Sequence, residues 1–109
     1  MDLAEKTCDS CRNAKASLKP LEYEDLLGEI SGWTVFDGHH LCKSIKTKNF
    51  KTSLELANRI GVLAEQEGHH PDLLIRWGEL KIELWTHKVN GLTEADFVLA
   101  AKIDRLETT

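Results

Sequence analysis

The stretch that decides the fold runs from residue 65 to residue 96 and reads EQEGHHPDLLIRWGELKIELWTHKVNGLTEAD. A helical pattern ends at His69 and His70, because Pro71 disfavours the α conformation in the residue before it and has no amide hydrogen to donate. Two strand-like runs follow, and they end at His87. Since a hairpin returns the chain to where it started, the three histidines are predicted to converge.

The second of these runs, residues 79–87, alternates between apolar and polar side chains. A period of two predicts a strand with one face on the core and the other face open. The open face then carries His87 beside the ring of Trp85. The residues predicted to point to the core are Leu80, Ile82, Leu84 and Thr86.

The rest of the chain predicts an α+β fold. Residues 1–17 are polar and are expected to form a flexible arm, and residues 18–109 to form a single domain. A helix begins near Pro20, and the Asp37-Gly38 turn divides two strands within residues 33–47. A long helix runs from the cap Asn49 to Gly68, and a last helix follows residue 93. The predicted order is α-β-β-α-β-β-α, a four-stranded antiparallel sheet with three helices packed on one face.

Composition excludes some functions. The chain has 109 residues, a net charge of −4 and a pI near 5.7, which argue against direct binding to nucleic acid. No apolar run approaches the ~20 residues that cross a bilayer, and the N-terminus lacks a signal sequence. A cytoplasmic protein without membrane contact is therefore expected.

The cysteines leave several interpretations open. Cys8 and Cys11 form a CxxC, which is half of a zinc site or a redox pair. Zinc needs two further ligands, and the candidates are Cys42 and the His39-His40 pair. The simplest interpretation is an arm with reduced thiols.

Converging imidazoles can supply both a general base and a general acid near neutral pH. The alternatives are that His69 and His70 only cap a helix C-terminus, or that the three histidines bind zinc. Adjacent side chains at a helix end diverge by ~100°, which is poor geometry for a metal. The His39-His40 pair follows a turn without a convergent partner, so a solvated loop is expected there.

Other side chains of the stretch have two interpretations each. Glu65 lies one helical turn before His69 and either orients that imidazole or is solvated. Asp96 is a helix cap first and an active-site carboxylate second. Trp77 and Trp85 either stack on a flat ligand or cover the sheet, and Lys88 offers a charge at the rim.

Several motifs in combination resemble the pterin-4a-carbinolamine dehydratase family, from about Leu18 to Leu106. The matching positions are Glu65, His69-His70-Pro71, Trp77, Thr86-His87, Gly91-Leu92-Thr93 and Asp96. The resemblance implies a small enzyme, without metal or bound cofactor, that dehydrates 4a-hydroxytetrahydropterin to quinonoid dihydropterin. This carbon–oxygen hydro-lyase activity regenerates the pterin used by aromatic amino acid hydroxylases, which would be pathway partners.

The resemblance also implies residue roles. His69 and His87 would exchange the protons, and His70, the third catalytic histidine, would hold and orient the substrate. The pterin would bind to these histidines and to Gly68, Trp85, Thr86 and Lys88. The supporting residues would be Glu65, Pro71, Trp77 and Asp96.

Departures from the family pattern concern the substrate more than the reaction. Trp77 replaces the tyrosine often found there, and Gly68 stands where some members have an acid. A different pterin, such as a molybdopterin-related one, is therefore an alternative substrate.

A second hypothesis is a non-catalytic binding module, since animal members form dimers or tetramers and stabilise a homeodomain transcription factor dimer. A homodimer or homotetramer is expected here, through an edge strand or an exposed helix face.

Overall fold

The computed structural model describes residues 3–7 and 16–107 and confirms the predicted order of elements. Three helices and four strands alternate as expected, with short 3₁₀ turns at Leu3–Glu5 and His87–Val89. The main elements are α1 (Pro20–Leu27), β1 (Thr34–Phe36), β2 (His40–Lys46), α2 (Phe50–Glu67), β3 (Asp72–Arg76), β4 (Glu79–Leu84) and α3 (Glu94–Glu107).

The four strands form one antiparallel sheet in the order β1-β2-β4-β3. The Asp37-Gly38 turn joins β1 to β2 with positive φ at both residues, as predicted. The pair Leu41 and Leu84 lies opposite each other in the β2–β4 register. The buried face of the sheet packs with the helices into one core, whose fully buried members include Leu41, Ile60, Leu80, Ile82, Leu84, Phe97, Leu99 and Ile103.

Helix α2 delivers the histidine pair to the sheet. Asn49 caps its start by accepting a hydrogen bond from the amide of Thr52. Gly68 ends it in the left-handed conformation at φ 65°, which a residue without a Cβ adopts without strain. The amide of His69 then donates to the Ala64 carbonyl, and the chain turns directly into β3.

The strand before His87 is shorter than predicted. β4 ends at Leu84, and His87 begins a 3₁₀ turn instead of continuing the strand. The reason is local, because Thr86 pairs with Gly91 and Asn90 adopts a left-handed conformation at φ 49°. These contacts close a tight loop immediately after the strand.

Part of the predicted flexible arm is packed against the domain. Leu3 and Ala4 are buried in the core and contact α3, and Lys6 pairs with Glu94 at 3.7 Å. Burial of two adjacent apolar side chains favours packing of this turn against α3. The CxxC of Cys8 and Cys11 lies outside the described residues.

Candidate active site

One pocket is lined by the residues that the predicted hairpin was expected to bring close together. Its volume is about 250 Å³, and its walls come from the end of α2 and from the segment after β4. The predicted convergence of the three histidines is therefore present. The lining residues are Gly68, His69, His70, Trp85, Thr86, His87 and Lys88.

Of the three histidines in the pocket, His69 is the buried one, with an exposed fraction of only 6%. Its Nε2 lies 2.6 Å from Oδ1 of Asp96, a fully buried carboxylate on α3. Because the carboxylate accepts, Nε2 of His69 is the nitrogen that carries hydrogen. Nδ1 is then the nitrogen left to accept a proton.

The second oxygen of Asp96 fixes the carboxylate. Oδ2 accepts from the Thr86 hydroxyl and from the Thr93 amide, each at 2.9 Å. The Thr86 and Thr93 hydroxyls are also 2.9 Å apart. Asp96 therefore satisfies the amide at the start of α3 and positions His69 at the same time, which joins its two predicted roles.

His70 occupies a different environment from its neighbour. Its Nε2 contacts the Glu65 carboxylate, and the two side chains are 60% and 77% exposed. Of the two interpretations of Glu65, the exposed side chain agrees with the solvated one, and its carboxylate contacts His70 and not His69. The chain leaves the helix at Gly68, so the spacing of four residues no longer identifies neighbours on one helical face.

His87 completes the histidine set from the other wall. Its ring meets Trp85 edge-on, with centroids 4.5 Å apart and planes at 88°. Both His87 and Lys88 are exposed, so the open side of the pocket carries polar groups while His69 lies at its buried side. This arrangement can give and take protons at two separate positions.

Trp77 is not brought to the pocket. It lies in the turn between β3 and β4, is 73% exposed, and is separated from Pro71 by the whole of β3. Five strand residues span roughly 17 Å. Pro71 itself is half-buried between the histidine pair and β3.

The His39-His40 pair has partners that the sequence argument missed. Both rings contact Trp85, with centroids 5.3 and 5.9 Å away. The prediction of a solvated loop without a convergent partner is therefore wrong. The missing information was the strand order, because only the β2–β4 pairing puts the start of β2 beside the end of β4.

Within the described residues, no group of three or more His, Cys, Asp or Glu side chains has the geometry to hold a metal ion. Over the same residues, no helix is both long enough and apolar enough to cross a membrane.

Comparison with known proteins shows which family the chain belongs to. The profile of the family described as Pterin 4 alpha carbinolamine dehydratase matches residues 16–106. The chain belongs to the pterin-4a-carbinolamine dehydratase family. The expected enzyme class, a carbon–oxygen hydro-lyase, is confirmed at this level.

Relatives in this dehydratase family cover almost the whole chain. A protein of Rubrobacter xylanophilus, provisionally named a pterin-4-alpha-carbinolamine dehydratase, is 49% identical over 96% of this chain and 98% of its own length. Pterin-4-alpha-carbinolamine dehydratase 2, mitochondrial, of Arabidopsis thaliana is 43% identical over 97% of this chain and 59% of its own. A crystal structure of a Brucella melitensis protein titled transcriptional coactivator/pterin dehydratase has a TM-score of 0.77 and 30% identity. The match covers 83% of this chain and 97% of the Brucella melitensis chain.

Proposed function

We propose that this chain dehydrates 4a-hydroxytetrahydropterin to quinonoid dihydropterin and water by histidine acid–base catalysis. The observation that carries the proposal is the His69–Asp96 pair at 2.6 Å, whose histidine lines the same pocket as His87. A buried histidine held by a carboxylate is suited to accept a proton. The second histidine can supply the proton that the leaving hydroxyl needs.

The reaction needs one proton removed and one supplied. A base takes the proton from the ring nitrogen N5, and its electron pair forms the N5–C4a double bond. The C4a–oxygen bond breaks, and the hydroxyl leaves as water after receiving a proton from an acid. His69 takes the proton from N5, and His87 gives a proton to the hydroxyl. One further proton transfer, from His69 to His87, returns both histidines to their starting states.

His69 is suited to be the base. Its Nε2–H is directed to the Asp96 carboxylate, which stabilises the imidazolium formed when Nδ1 takes the proton. Thr86 and the Thr93 amide hold that carboxylate in place. His87, on the open side of the pocket, then protonates the leaving hydroxyl.

The remaining pocket residues bind the pterin. Trp85 offers an aromatic surface for a flat heterocycle, and His70 orients the ring from the exposed edge. Glu65 holds His70 rather than the buried base. Lys88 contributes a positive charge at the rim.

The experiment that tests this function follows dehydration of synthetic 4a-hydroxytetrahydropterin by ultraviolet absorbance, with enzyme and with buffer alone. Acceleration with formation of quinonoid dihydropterin supports the proposal, and a rate equal to that in buffer contradicts it. Comparing a substrate with a small 6-substituent and one with a molybdopterin-like substituent identifies the physiological pterin class. The proposed pathway role is the recycling of tetrahydropterin for aromatic amino acid hydroxylases. The proposed location is the cytoplasm.

A homo-oligomeric binding role is the second candidate. Helix α2 exposes Phe50, Leu54 and Val62. At 100° per residue they lie within about 120° of one another around the helix axis. Clustered exposed apolar side chains favour contact with another copy of the chain. The Brucella melitensis protein, whose title includes transcriptional coactivator, is the comparison that motivates a binding role.

A further inference from the structure

The His39-His40 pair is linked to the active site by a continuous chain of contacts. Nε2 of His39 lies 2.9 Å from Oδ1 of Asn90, and the two Nδ1 atoms of the pair are 3.0 Å apart. Nε2 of His40 lies 3.2 Å from the Glu83 carboxylate. The chain therefore connects β2 and β4 to the loop just beyond His87.

Trp85 contacts this pair and His87 at the same time. Its ring centroid is 5.3 Å from that of His39, 5.9 Å from that of His40 and 4.5 Å from that of His87. Trp85 also lines the pocket. A shift of the histidine pair would therefore move the aromatic wall against which a pterin would stack.

Asn90 holds the turn that carries His87. Its amide donates to the His87 carbonyl at 3.1 Å, and the Thr86 amide donates to the Gly91 carbonyl at 2.8 Å. Asn90 itself is left-handed at φ 49°, a conformation that is uncommon outside glycine. The bond between its side chain and His39 fixes this turn from outside.

We propose that His39 and His40 are positioning residues of the active site, which hold Trp85 for substrate binding and the Asn90 turn for placement of His87. This inference rests on the proposed function for its catalytic consequence, but the positioning itself is measurable without substrate. Neither histidine acts on the reacting atoms. Their effect passes through Trp85 and Asn90.

Two substitutions separate the ring contact from the hydrogen bond. His39→Phe keeps an aromatic ring against Trp85 but cannot donate to Asn90. His39→Gln loses the ring, while its amide nitrogen replaces Nε2 as a donor to Asn90. Ser44→Ala, at an exposed position of β2 that does not line the pocket, is the control.

The expected result is a split between kcat and KM. His39→Phe lowers kcat by ~10-fold with little change in KM, because a small misplacement of a catalytic group is costly. His39→Gln returns kcat to within about twofold of wild type and raises KM, because the stacking wall is loosened. Equal kcat in wild type and both variants, or an equal loss of kcat in both variants, overturns the proposal.

The side-chain amide of Asn90, followed by NMR without substrate, tests the positioning directly. Its signal should stay close to that of wild type in His39→Gln, and it should shift to that of an unbonded amide in His39→Phe. An Asn90 signal that is identical in all three proteins contradicts the proposal. If wild type is catalytically silent, the dehydratase proposal fails and this NMR result alone decides on the histidine pair.

Discussion

Nε2 of His69 and Oδ1 of Asp96 are 2.6 Å apart, in a place where the histidine is 6% exposed and the carboxylate is fully buried. A charge at that depth persists only when it is paired and hydrogen-bonded. Oδ2 meets this requirement through two donors, and Oδ1 is thereby directed to His69. The His69–Asp96 pair is therefore part of the buried hydrogen-bond network at the start of α3.

Asp96→Asn should reverse the tautomer of His69. The amide oxygen takes the place of Oδ2, because two donors point there, and the amide NH₂ then faces Nε2 of the histidine. Nδ1 then carries the hydrogen and cannot accept one. We expect kcat to fall by ~10²–10⁴-fold, the usual contribution of a general base.

Asp104→Asn is the matched control on the same helix. Asp104 accepts from the Trp33 indole and from Lys43, away from the pocket. This variant should lose stability in a denaturant titration while its kcat stays at the wild-type value. Unchanged kcat in Asp96→Asn would refute the assignment of His69.

Thr86→Val should reduce the stability of the fold. The hydroxyl donates to a buried carboxylate and lies against the Thr93 hydroxyl, so its loss leaves buried polar atoms with fewer partners. We expect a loss of about 1–3 kcal/mol in the free energy of unfolding. Thr86→Ser keeps the hydroxyl and should recover most of this loss. Equal stability of the valine and serine variants would show that the bond contributes little.

His70→Gln should affect substrate binding and not folding. The side chain and its partner Glu65 are both mostly exposed, and surface ion pairs contribute little to stability. We expect KM to rise severalfold, kcat to change by less than about threefold, and unfolding to stay within about 0.5 kcal/mol of wild type. A collapse of kcat like that of His69→Gln would instead give His70 a proton-transfer role.

The Leu54→Glu/Val62→Glu double variant tests the oligomer. If α2 forms the contact between copies, light scattering should give an oligomer for wild type and a monomer for the variant. Leu21→Glu replaces an even more exposed leucine on α1 and should leave the mass unchanged. A wild-type monomer, or an oligomer that survives the double substitution, would exclude this surface.

The sequence predicted the elements and the convergence of the histidines because both follow from local patterns. Pro71 and Gly68 end α2, and the alternation in residues 79–84 defines β4. The partners within the pocket were harder to predict. Glu65 was given two interpretations, a partner of His69 or a solvated side chain; it is mostly exposed and contacts His70, because the path of the chain beyond Gly68 decides which histidine faces it.

The surroundings of His39-His40 and of Trp77 could not be predicted for a common reason. Where each lies relative to the pocket depends on the strand order and on the length of the β3–β4 hairpin. These are long-range properties of the sheet, whereas periodicity reports only on neighbours along the chain. Asp96 shows the opposite case, because its cap role and its site role arise from one local geometry.

The most direct test of the central claim measures the dehydration rate of 4a-hydroxytetrahydropterin by wild type, His69→Gln, His87→Gln and the double variant, each with and without a chelator. Two histidines that exchange the protons of one reaction predict a large loss in each single variant and little further loss in the double variant. The wild-type rate should be the same with chelator. Single variants that keep the wild-type rate, or a wild-type rate abolished by chelator, would contradict acid–base catalysis by His69 and His87.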